Sequence, residues 1–78
     1  MTLQTLDVVV LNEDLPLQGL KRGDLGTVVD VYSPEAIEVE FVTASGRTQA
    51  LVTLPASAVR EVADDDLVSV RPAMRRDV

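Results

Sequence analysis

Asp64-Asp65-Asp66 is the densest run of metal-ligating side chains in the chain. Hard cations take carboxylate oxygens, but three consecutive acids on a loop point in different directions. The run also lacks calcium-loop spacing and the glycine such a turn needs, so it reads as a solvated charge run. Glu38 and Glu40 stand two residues apart, which on a strand puts both carboxylates on one face about 6.5–7 Å apart. Paired carboxylates can divide acid and base roles in a cleft; on an exposed strand face they read as solubilising residues. Gly19, Gly23 and Gly26 resemble an anion-cradling loop, yet a phosphate loop leads into a helix N-terminus. Here the β-branched run Thr27-Val28-Val29 follows instead. The glycines therefore read as turn geometry, with Gly26 marking a bulge, a bend or a close backbone approach. Lys21-Arg22 is a candidate partner contact, with a local ion pair to Glu13 or Asp14 as the alternative. Arg71, Arg75 and Arg76 lie in the terminal segment, where basic side chains engage acidic partners or stay solvated.

The composition removes several chemistries. The 78 residues include no Cys and no His, which excludes thiolate or imidazole zinc sites and Ser-His or Cys-His catalytic pairs. No catalytic residue, metal or cofactor is expected. Thirteen acidic residues oppose seven basic ones, for a net charge of −6. Phosphate backbones repel such a chain, and one Tyr and one Phe offer little for bases to stack on. Direct nucleic-acid binding is disfavoured. No segment reaches the roughly 20 apolar residues that span a bilayer, and Met1–Leu6 has neither a basic start nor a long apolar run. A cytoplasmic protein with no membrane contact is the expectation, in line with the absence of cysteine.

The elements that position these residues are short strands. Leu6–Leu11 is a β-branched run, and Gly26–Tyr32 a second. Ala36–Val42 alternates, with Ile37, Val39 and Phe41 on one side and Glu38 and Glu40 on the other. Thr43–Arg47 is a hairpin loop and Thr48–Leu54 the next strand, which Pro55 ends. Pro55–Val59 suits one 3₁₀ turn, and Arg60–Val62 is a short closing strand. Leu15 to Asp24 forms a long first loop anchored by Leu15, Leu17 and Leu20. Residues 1–62 are expected to form the folded unit, and 63–78 an acidic break, a candidate added strand at Leu67–Val70 and a flexible tail from Pro72. The fold class is all-β: a small SH3-like five-stranded barrel with a long first loop and a 3₁₀ turn before the last strand. An OB-fold needs a helix where only Thr43–Arg47 stands.

Leu6–Leu11, then Gly19-Leu20-Lys21-Arg22-Gly23-Asp24-Leu25-Gly26-Thr27-Val28-Val29, then Val39-Glu40-Phe41 and Thr53-Leu54-Pro55 together resemble the bacterial family known as domain of unknown function 4926. The resemblance covers Leu3 to Val62. It implies an SH3-like or KOW-like barrel in small stand-alone bacterial proteins, some of them companions of toxin-like or nuclease-like proteins. The Gly-Asp-Leu-Gly-Thr-Val segment is also similar to the core of the KOW motif, whose RNA-binding versions carry basic loops. Here acidic residues such as Glu13, Asp14 and Glu35 take those places.

The expected function is a non-catalytic protein-binding barrel, an antitoxin-like or accessory companion of a basic partner, or a self-associating one. By analogy with SH3-like barrels, the partner-binding residues are Leu15, Leu17, Leu20, Lys21, Arg22 and Tyr32. The alternatives are a KOW-like nucleic-acid or ribosome-associated module, and an accessory subunit of a larger enzyme.

Overall fold

A computed structural model of the chain describes residues 2–73. Five strands form one antiparallel sheet: β1 (Val8–Leu11), β2 (Leu25–Ser33), β3 (Ala36–Val42), β4 (Thr48–Leu54) and β5 (Val59–Glu61). Their spatial order is β4-β3-β2-β1-β5. Single 3₁₀ turns cover Pro16–Gln18 in the first loop and Ala56–Ala58 before β5. The second of these is the expected one. The first starts on a proline, whose φ is already preset for it, inside what the sequence marks only as loop.

Strand alternation builds the core. Val9 and Leu11 of β1, Val28 of β2, Ile37, Val39 and Phe41 of β3, and Leu54 of β4 point to one side and are buried there. Leu20, Ala58 and Val59 complete the cluster. The outermost strands β4 and β5 are separated by four strand spacings, about 19 Å in a flat sheet. Only Pro55–Ala58 joins them, including a compact turn, so the sheet has to curl around its core. It stays open, with no pairing between β4 and β5. The expected all-β class with five strands is therefore right, while the word barrel is loose.

Two irregularities in β2 supply the bend. Val28 faces Val39 but Asp30 faces Glu38, which leaves Val29 as an extra residue; Tyr32 is a second, between Val31–Ile37 and Ser33–Ala36. Bulges of this kind increase local twist and turn a strand. Beyond Val28 the strand swings off the core, and Val29 and Val31 are more than one-third exposed.

Gly26 pairs regularly with Val9, so it is not a bulge. A Cβ placed on it would lie 2.6 Å from Val39 Cγ1 and 2.8 Å from Phe41 Cε2. The glycine is there because the β3 side chains pack directly onto the β2 backbone. β1 begins at Val8, two residues later than its β-branched run suggests. Leu6 takes a left-handed φ of +80° in a turn where Asp7 accepts the Gln4 N–H at 2.8 Å.

Candidate functional site

The long first loop is pinned to itself. Leu15 and Leu20 exchange backbone hydrogen bonds of 2.9 and 3.1 Å around the Pro16–Gln18 turn, and Gly19 closes that turn at φ +70°. The closure drives Leu20 into the core at 3% exposure and leaves Leu17 in water at 96%. Asp14 accepts the Arg22 backbone N–H at 2.8 Å, so this acid orders the loop through the backbone and forms no ion pair with the Lys21 or Arg22 side chain. Asp24 accepts the Lys21 N–H at 2.8 Å.

Residues 62–73 cross back toward this loop. Asp66 takes both branches of the Arg60 guanidinium at 2.8 Å and the Ala63 N–H at 2.7 Å, a two-pronged, charge-assisted arrangement. Those donors hold its carboxyl down at about 2. The acidic triplet is thus a turn fixed by one of its members, not a convergent cluster. Further on, Arg71 donates to Asp24 through Nε at 2.9 Å and also through a terminal nitrogen, which reaches the Gly19 carbonyl at 3.1 Å. Burial pushes the Asp24 carboxyl up, but the Arg71 and Lys21 hydrogen bonds and the positive charge of both residues outweigh it, and the group sits below its ordinary value. Leu67–Val70, expected as a candidate strand, form none. Val68 is 76% exposed and Leu67 and Val70 are 95% exposed. The segment is held at its two ends by arginine–carboxylate pairs.

Between this segment, the first loop and the β3–β4 hairpin lies an open groove of about 800 Å³. On the sheet side its exposed apolar lining is Val8, Leu25 and Val42, all at least 39% exposed, and Val68 and Val70 of the returning segment add to it. The strand pairings explain the arrangement. Val8 faces Thr27 and Thr27 faces Glu40 across the outer surface of the sheet, and Leu25 and Val42 follow two residues on, on that same surface. Arg22 enters from the loop and Arg47 from the hairpin, while Asp24 and Glu40 also reach the lining. Glu40 accepts the Thr48 hydroxyl at 2.6 Å. Glu38 instead accepts the Tyr32 hydroxyl, which raises the tyrosine above its usual value. The two carboxylates are therefore occupied by different hydroxyls.

Of the six residues expected at a partner surface, Leu20 and Arg22 line the groove. Leu20 is a core residue, however, and contributes to packing more than to an accessible contact. Leu15 is half-buried against the core, and Leu17, Lys21 and Tyr32 are exposed outside the lining. Tyr32 lies seven residues along β2 from Leu25, roughly 20 Å by strand rise. Sequence reasoning missed Val8, Leu25, Val42 and Arg47. For Val8 and Val42 a signal was present: Val8-Val9-Val10 and Phe41-Val42 carry apolar residues on both faces, so the outward ones are free to line a surface other than the core. Arg75 and Arg76, and most of the tail expected to be flexible, lie outside the described residues.

The five antiparallel strands, the long first loop and the 3₁₀ turn before β5 make this an all-β domain, and the expected SH3-like description is consistent with it. Residues 5–61 match the family model described as Domain of unknown function (DUF4926), and the chain belongs to that family. The match ends at Glu61, so the Asp66 turn and the Arg71 contact lie beyond it. No curated protein and no solved structure matches the chain. Among the described residues, no helix is long and apolar enough to cross a membrane.

Proposed function

We propose that this chain is a non-catalytic protein-binding module that receives an extended segment of a partner in the groove between the first loop and the β3–β4 hairpin. The observation that carries this reading is the outer-face set Val8, Leu25 and Val42, left part-exposed between Arg22 and Arg47. Covering three half-exposed aliphatic side chains contributes about 1 kcal/mol each. That sum falls well short of the ~8 kcal/mol of a micromolar complex. The remainder comes from hydrogen bonds to the docked backbone and from the arginine forks, which suit a carboxylate on the segment. The lack of His and Cys throughout the chain supports a role in binding.

The net charge of −6 favours partners of positive overall charge by steering encounter. A basic toxin-like or nuclease-like companion fits that description. Co-expression with the product of the adjacent reading frame tests this version, which is abandoned if the two fail to copurify.

The groove itself is tested by selecting a displayed library of random dodecapeptides on the immobilised protein. Enriched peptides should alternate apolar residues near an acidic one. Leu25→Asp or Val42→Asp should weaken their binding at least tenfold, while Leu17→Asp leaves it unchanged. No enrichment, or equal binding by all three variants, refutes the reading. Tight binding of single-stranded RNA that weakens steeply with salt favours the nucleic-acid alternative instead.

A further inference from the structure

The two edges of the sheet are unlike one another. β5 is three residues long and carries Arg60 and Glu61. β4 is seven residues long, Thr-Gln-Ala-Leu-Val-Thr-Leu, with no charged side chain, in a chain where about one residue in four is charged. Its outer side has no strand partner among the described residues. Sheet edges are ordinarily guarded by charges, by proline or by bulges. Here Pro55 comes only after the strand has ended, and the single register shift of β4 falls at Gln49. Ala50–Leu54 then runs in unbroken register with β3, from Phe41–Ala50 to Ile37–Leu54. Along this stretch Leu51 is 55% exposed, and Ala50 and Val52 are only partly covered by the core.

We propose that Ala50–Leu54 is a dimerisation edge, on which β4 of a second copy adds antiparallel so that one sheet continues through both chains. A two-fold axis near Val52 sets Val52 against Val52 of the second copy, Ala50 against its Leu54, and Leu51 against its Thr53. All three pairings are free of charge repulsion, although each chain carries −6. The same logic selects a second copy as the occupant: β4 is the one uncharged edge by which two such acidic molecules can meet without bringing carboxylates together. Strand addition satisfies the free backbone groups of both edges at once. The isologous contact closes at two and leaves no further β4 edge. A five-residue edge buries less than a standard interface, so the contact is weak and has to be sought at high protein concentration. This inference is independent of the groove, whose lining does not include Ala50–Leu54.

The test is light scattering after size exclusion, over a dilution series from about 1 mM, at low and high salt. The wild-type mass should double from 8.4 kDa with concentration, and more readily at high salt, because screening relieves the repulsion between the two negative chains. Leu51→Lys and, separately, Thr53→Lys should shift the midpoint at least tenfold toward the monomer while circular dichroism and Tm remain as in the wild type. A wild-type monomer at 1 mM in high salt overturns the proposal. So does a dimer that both lysine variants leave intact, or one that is lost on removing residues 67–78.

Discussion

Gly26 offers the sharpest test of how this small core is built. A Cβ at this position would lie 2.6 Å from Val39 Cγ1 and 2.8 and 3.0 Å from the Phe41 ring. Neither neighbour yields easily: Val39 is fully buried and stiff at χ1, and Phe41 is 2% exposed. Overpacking of this kind costs about 1–3 kcal/mol. Alanine restricts the unfolded chain and returns about 0.4–1 kcal/mol, so Gly26→Ala should destabilise by roughly 1–2 kcal/mol once both effects act. At about 4–8 °C per kcal/mol for a domain of this size, Tm should fall by roughly 5–15 °C. Gly26→Val adds two further methyl groups against the same wall and should fall at least twice as far or fail to fold. Thermal unfolding followed by circular dichroism measures both.

A double-mutant cycle separates packing from any intrinsic cost at position 26. Val39→Ala alone leaves a cavity and costs about 2–4 kcal/mol. With Val39→Ala in place, the new methyl of Gly26→Ala enters the space that Val39 Cγ1 left. The double variant should therefore be more stable than the sum of the two losses predicts, by at least ~0.5 kcal/mol. A Gly26→Ala protein as stable as the wild type, or two losses that simply add, refutes the close approach of β3 onto the β2 backbone.

Three further outcomes can be measured. Leu20→Ala should cost about 2–5 kcal/mol as a buried leucine, whereas Leu17→Ala, on the same loop, should stay within ~0.5 kcal/mol; urea unfolding of the two variants gives the contrast. Asp66, held at about 2, and Asp24, also lowered, both bind their protons later in the folded chain than in the unfolded one. The stability they contribute is complete above about pH 4 and is lost as pH falls toward 2, so Asp66→Asn together with Asp24→Asn should flatten the acid limb of a denaturation curve measured against pH. The single tyrosine makes its ultraviolet titration unambiguous: ionisation should need a higher pH than the usual 10 in the wild type, and Glu38→Gln should bring it back.

Much of this architecture is written locally. β3 runs over the residues its alternation marks, Ala36–Val42, because a period of two with one buried face permits only one phase, and β4 fills the expected Thr48–Leu54. Pro55 ends β4 where its missing N–H requires, and the 3₁₀ turn follows. The long first loop, two of its three expected leucine anchors (Leu15 and Leu20) and the constraint at Gly26 are also legible, whereas Leu17, expected as the third anchor, is exposed. Leu17 and Leu20 are chemically alike, and only the Leu15–Leu20 closure around Pro16 sends one inward and the other outward.

The tertiary structure decided everything that depends on the path of the chain. The bulges at Val29 and Tyr32 emerge only when β2 is laid against β3, since an extra residue is defined by its partner strand. Asp24 and Arg71 are 47 residues apart and no local spacing pairs them. The groove exists because an apolar outer face, two loops and that returning segment meet in space. Glycines 19, 23 and 26, whose spacing resembles an anion loop, divide in the same way. The sequence alone excluded the helix an anion loop needs; the fold supplied what Gly26 is for, which is to let the side chains of Val39 and Phe41 rest on bare backbone.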